Sequence, residues 1–170
     1  MRITVLPGDW GDARATDVRA VATDAAGQVE RELRRPFDGE IELVNLAEDQ
    51  DPITFYREGG AGPYRVGVCV RGRRWAQLAY QFAHEFCHVL SGYERLRDNP
   101  NNWFHEALCE LASLFVLRRA GQRWLSSPPF PNWVGYAPNL SAYADRRARE
   151  WSTAAPTPPC FATWMAANEQ

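Results

Sequence analysis

Between Asp12 and Arg35 a largely polar stretch carries Val18, Val21, Ala25, Val29 and Leu33 at spacings of three and four. That is the period of an amphipathic helix, and Pro36 with the turn at Asp38-Gly39-Glu40 ends it. Four shorter runs of β-prone residues read as strands: 2–6 (RITVL), 41–46 (IELVNL), 52–56 (PITFY) and 64–70 (YRVGVCV). In the last, Val66, Val68 and Val70 share one face. The intervening helix predicts that the first two strands pair in parallel. The short glycine-rich link before residue 64 predicts an antiparallel hairpin between the last two. Pro52 cannot donate to a ladder, so 52–56 is expected at the exposed edge, with 64–70 between it and the central pair. Two further helices are expected over 74–90, closed by Ser91-Gly92, and over 104–120, stopped by Gly121. Residues 126–139 are rich in proline and aromatics and read as irregular chain, followed by a short helix over 141–151. The expected fold class is α+β: one domain over 1–151, with a proline-rich linker and C-terminal segment, 152–170, packed on it.

Composition narrows the function classes. The chain has 170 residues, 45% of them hydrophobic, which is room for one buried core and not two. Its formal charge is −2 and its arginines are scattered, so neither a nucleic acid nor a membrane surface is expected as partner. No apolar run is long enough for a signal peptide or a membrane span. Cys69, Cys87, Cys109 and Cys160 form no CxxC pair and are expected as free thiols, which points to the cytoplasm.

The chemistry concentrates in AHEFCHVL, residues 83–90. On a helix His84 and His88 lie one turn apart, so both imidazoles can reach one ion. Glu85 lies about 100° round from His84, beside such an ion rather than on it, where it can take a proton from a metal-bound water. A catalytic zinc takes three protein ligands and keeps one position open. Candidates for the third are His105 and the acids Glu106 and Glu110, which the stretch WFHEALCELAS is expected to embed in an apolar environment with Leu108, Leu111 and Phe115. Two carboxylates on one face of a buried helix are costly without a cation or charged partner.

HEFCH (84–88) followed by WFHEA (103–107) resembles the gluzincin metallopeptidases, the group of thermolysin and aminopeptidase N. Seventeen residues separate His88 from Glu106, close to the usual gap of that family. The resemblance covers roughly residues 64–117. It implies a minimal zincin-like domain, with Zn2+ held by His84, His88 and Glu106, and Glu85 as general base. Glu110, four positions beyond Glu106, stands where the family places the acid that orients the first histidine. His105 occupies a position that is often asparagine in the family, and so rivals Glu106 as ligand. The family also supplies a Tyr or His after the ligand helix to stabilise the oxyanion. Here that leaves Tyr143, in a helical stretch, ahead of Tyr136, among prolines. Tyr93 is expected to face away.

The expected function is therefore a small zinc-dependent peptidase acting on a peptide or protein substrate. Its rival is a zincin-fold module that binds zinc or a peptide without cutting. A third reading, a closed structural zinc site, would recruit Cys87 or Cys109, and Cys87 points away from the histidine face by helical phase.

Overall fold

The computed structural model describes residues 1–57, 60–95 and 101–154. Among these, four strands and four helices form a mixed α/β unit. The strands are β1 (Arg2–Val5), β2 (Glu40–Asn45), β3 (Ile53–Phe55) and β4 (Tyr64–Val68), and the helices α1 (Ala15–Leu33), α2 (Trp75–Ser91), α3 (Asn102–Arg123) and α4 (Ala137–Ala154). The strand order is β1-β2-β4-β3. β1 and β4 both run parallel to β2, and β3 pairs antiparallel with β4, so β3 forms the edge. This is the pairing that the crossover helix, the hairpin link and Pro52 predict.

Period-two alternation buries Ile3, Ile41, Leu43, Val66 and Val68, against which α1 and α2 pack. β4 stops at Val68 rather than Val70 because side chains take over its ladder. The Cys69 N–H donates to Gln81 Oε1 at 2.9 Å, and Asn45 Nδ2 donates to the Val70 carbonyl at 2.9 Å. α2 is the most enclosed helix of the set, with Leu78, Phe82 and Phe86 fully buried and the rings of the two phenylalanines stacked. Gly92, at φ +75°, takes the left-handed turn that ends it.

Three expected helix boundaries are corrected. Gly121 does not stop α3, which continues to Arg123. A Cβ there would meet Ser141 Oγ at 2.3 Å, so the glycine marks a close approach of α3 to α4. Likewise α4 begins at Ala137 rather than 141, preceded by a 3₁₀ turn over Pro131–Tyr136. Pro138 falls in its first turn, where the missing N–H has no intrahelical partner to lose. α4 also runs on to Ala154. The expected packing of the C-terminal segment beyond it lies outside the described residues. No helix among the described residues is long and apolar enough to cross a membrane.

Candidate metal centre

α2 and α3 lie side by side, and their facing surfaces bring the histidines and acids together. His84 Nε2 and His88 Nε2 stand 3.2 Å and 3.4 Å from Glu106 Oε2. One donor atom from each of His84, His88 and Glu106 falls within 4.8 Å of the other two. Two ligands bound at about 2.0–2.1 Å to one tetrahedral ion lie roughly 3.3–3.5 Å apart. The observed separations match that spacing, so the donor set suits a small divalent cation.

The set opens on a cavity of about 260 Å³ that His84, Glu85, His88, Tyr93, Asn102, His105 and Glu106 line together with residues 52–54 and 56. The β3 edge therefore borders the cavity, as its place in the sheet requires. Glu106 keeps 57% of its side-chain surface exposed, whereas Glu110 is buried. Leu108, Leu111 and Phe115, expected as an apolar shelter for these acids, are largely exposed on the far face of α3.

Behind the histidines is a polar chain. Glu110 Oε2 lies 3.5 Å from His84 Nδ1. Its other oxygen accepts from the Tyr80 hydroxyl, which in turn accepts from Arg147 Nη2 at 2.9 Å. Arg147 Nη2 is also 3.9 Å from the same carboxylate. Burial alone would raise the Glu110 pKa, but the contacts with His84 and Tyr80 outweigh it and hold it below the ordinary value. Burial opposes charge on His84 too, yet the bond to Glu110 and the charges of Glu85 and Glu106 hold its pKa above normal. His88 is pushed down to about 4 by burial, so its imidazole is neutral and free to ligate.

Glu85 is buried beside the histidines, and burial pushes its carboxyl up to about 7 against the pull of His84 and Thr54. The Thr54 hydroxyl lies 2.9 Å from Glu85 Oε2 and 3.0 Å from the Glu85 backbone carbonyl. The edge strand thus holds this carboxylate in place.

The two tyrosines expected at the site are elsewhere. Tyr136 accepts from the Ala76 backbone N–H at 3.2 Å, at the start of α2. The Tyr143 ring packs on Tyr80, and the Arg146 guanidinium lies over it, 4.6 Å from its centroid. Both line a separate depression with Arg73 and Gln77, and neither lines the histidine cavity. No local pattern announces which way a ring in a loop or on α4 will face. Tyr93, expected to face away, does line the cavity, although its hydroxyl donates to the Phe55 carbonyl. Tyr56 lines it as well.

The sequence reading missed Thr54, Tyr80 and Arg147. Tyr80 was legible, because it sits one turn before His84 on the histidine face. Thr54 and Arg147 become visible only when β3 and α4 are docked.

A second group of donors meets behind His88. Its Nδ1 is 3.5 Å from Cys109 Sγ, and His105 Nε2 is 3.8 Å from the same sulfur. His105 therefore turns away from the Nε2 side of His88 and towards Cys109. Comparison of the chain with protein-family models, with curated proteins and with solved structures finds no match.

Proposed function

We propose that this chain is a small zinc-dependent peptidase built on a minimal zincin-like arrangement, with Zn2+ held by His84, His88 and Glu106. The observation that carries this reading is the convergence of Glu106 Oε2 on both Nε2 atoms, at 3.2 Å and 3.4 Å, beside an open cavity. When bound, such an ion supplies Lewis acidity toward a carbonyl and toward water. The chain's own groups do the rest. Glu85, with a pKa near neutrality, accepts a proton from the attacking water and returns it to the leaving amine. Thr54 aims the carboxylate, and Glu110 holds His84 by its far nitrogen so that Nε2 faces the ligand position. A substrate backbone adds to the free edge of β3, next to Ile53, by main-chain hydrogen bonds. The free thiols among the described residues support a reducing compartment such as the cytoplasm.

The second reading, a module that binds zinc or a peptide without cleaving it, draws on one observation: Tyr136 and Tyr143 are remote from the cavity. Digestion of a diverse peptide library by the zinc-loaded protein and by Glu85→Gln separates the two. The peptidase reading expects cleavage by wild type and a loss of about 10²–10⁴-fold in kcat in Glu85→Gln, with zinc content kept. Absence of cleavage by zinc-loaded wild type selects the binding module.

A further inference from the structure

We propose that His88 Nδ1, His105 Nε2 and Cys109 Sγ form a second metal site, for a thiophilic ion, back to back with the open one. Three donor atoms of different residues lie within 4.8 Å of one another here. A thiolate at about 2.3 Å and an imidazole at about 2.0–2.1 Å from one tetrahedral ion are roughly 3.5–3.6 Å apart. The sulfur lies 3.5 Å from His88 Nδ1 and 3.8 Å from His105 Nε2, close to that spacing, and the two nitrogens lie within 4.8 Å of each other.

The surroundings differ from those of the open set in ways that favour a soft ion. Cys109 is fully buried and His105 half-buried. No carboxylate belongs to the set. Ser91 Oγ meets the same His105 nitrogen, while its hydroxyl lies 2.7 Å and 3.2 Å from the carbonyls of Cys87 and His88. With its hydrogen engaged there, the serine oxygen accepts from His105 Nε2–H, and that proton moves to Nδ1 when Nε2 takes an ion. A thiolate with two imidazoles selects zinc-like and softer metals over calcium or magnesium. Binding releases the Cys109 thiol proton, and the ion ties α2 to α3 directly beneath the cavity.

His88 serves this site through Nδ1 and the open site through Nε2, so filling both at once also releases the one ring N–H proton of the neutral imidazole and leaves His88 bridging the two ions as imidazolate. The two sites share this ring, so His88→Ala removes both. His105 lines the histidine cavity and also an apolar groove on the far side with Cys87 and Ser91, which gives the ion a route in.

Cobalt(II) titration of the metal-free protein tests this, since a thiolate ligand gives a near-ultraviolet charge-transfer band that imidazole and carboxylate do not. The expected result is a thiolate band that saturates at one equivalent, with a second equivalent bound without it. Cys109→Ser should abolish the band, and His105→Ala should weaken cobalt binding at that step at least tenfold. His84→Ala should keep the band and lose the other equivalent. Cobalt saturation of wild type with no thiolate band overturns the proposal, whatever the variants do. Persistence of the band in Cys109→Ser also overturns it. Failure of the open site alone reads differently: one equivalent in total, carrying the band and indifferent to His84→Ala.

Discussion

α2 supplies two of the three ligands in the open donor set and α3 the third, and the two helices are built in opposite ways. α2 is enclosed along most of its length, and its ligands project from a helix locked by Leu78, Phe82 and Phe86. α3 buries one face, with Cys109, Glu110 and Ser113, and leaves Phe104, Leu108, Leu111 and Phe115 on the other substantially exposed. Rigidity is concentrated on the α2 side of the site. The two histidines and the base are fixed by packing, whereas Glu106, exposed at the rim, is held by its place on α3 and its contacts with His84 and His88. An exposed carboxylate is also the cheaper ligand to leave without an ion, since water solvates it.

Substitutions can break this contrast. Phe82→Ala should cost about 3–5 kcal/mol of unfolding free energy, the range for removing a buried aromatic side chain. Leu111→Ala, on the exposed face of α3 at 62% exposure, should change it by no more than about 0.5 kcal/mol. Urea unfolding of both variants checks this. Comparable losses at the two positions would show that α3 is buried by something beyond the described residues.

A titration sharpens the same contrast at the base. In the metal-free protein Glu85 has a folded pKa of about 7, raised from 4.5 by burial. The native state therefore holds its proton more tightly than the unfolded chain. Stability associated with Glu85 is complete below about pH 4.5 and is lost as pH rises through 7. His88, depressed to about 4, acts in the opposite sense as pH falls from 6.5 to 4. The Glu85 contribution is isolated by difference: relative to wild type, metal-free Glu85→Gln should gain on the order of 3 kcal/mol in stability between pH 4.5 and 7.5. Parallel stability profiles would remove the buried-base account.

Smaller again is the effect expected behind His84. Glu110→Gln keeps the shape of the contact and removes its charge, which should weaken metal binding about 10–100-fold. Competition with a chromophoric chelator measures this. An unchanged affinity would reduce Glu110 to a structural anchor for Tyr80 and Arg147.

How far the sequence could lead follows the same division. The strand pairing, the buried face of α1 and the histidine turn of α2 were legible, because each rests on a local period or a short link. His105 and Glu106 are neighbours about 100° apart on one helix, so which one faces the His84–His88 side depends on how α3 rolls against α2. Gly121 carried two meanings, a helix end or a close approach, and the sequence alone does not choose between them. Leu108, Leu111 and Phe115 looked like core by composition but face outward, since the period of a helix does not say which face is covered. The tyrosines failed for a related reason: Tyr136 and Tyr143 sit in segments whose direction is set by α4 docking on α2 and α3.

The proposed ion lies between His84 Nε2, His88 Nε2 and Glu106, and anomalous diffraction at the zinc edge, from crystals of the zinc-loaded protein, locates it. The expected peak lies about 2.0–2.2 Å from each of those three donors, with a coordination position open to the cavity. Absence of a peak there, with zinc density only between His105 and Cys109, would contradict that placement.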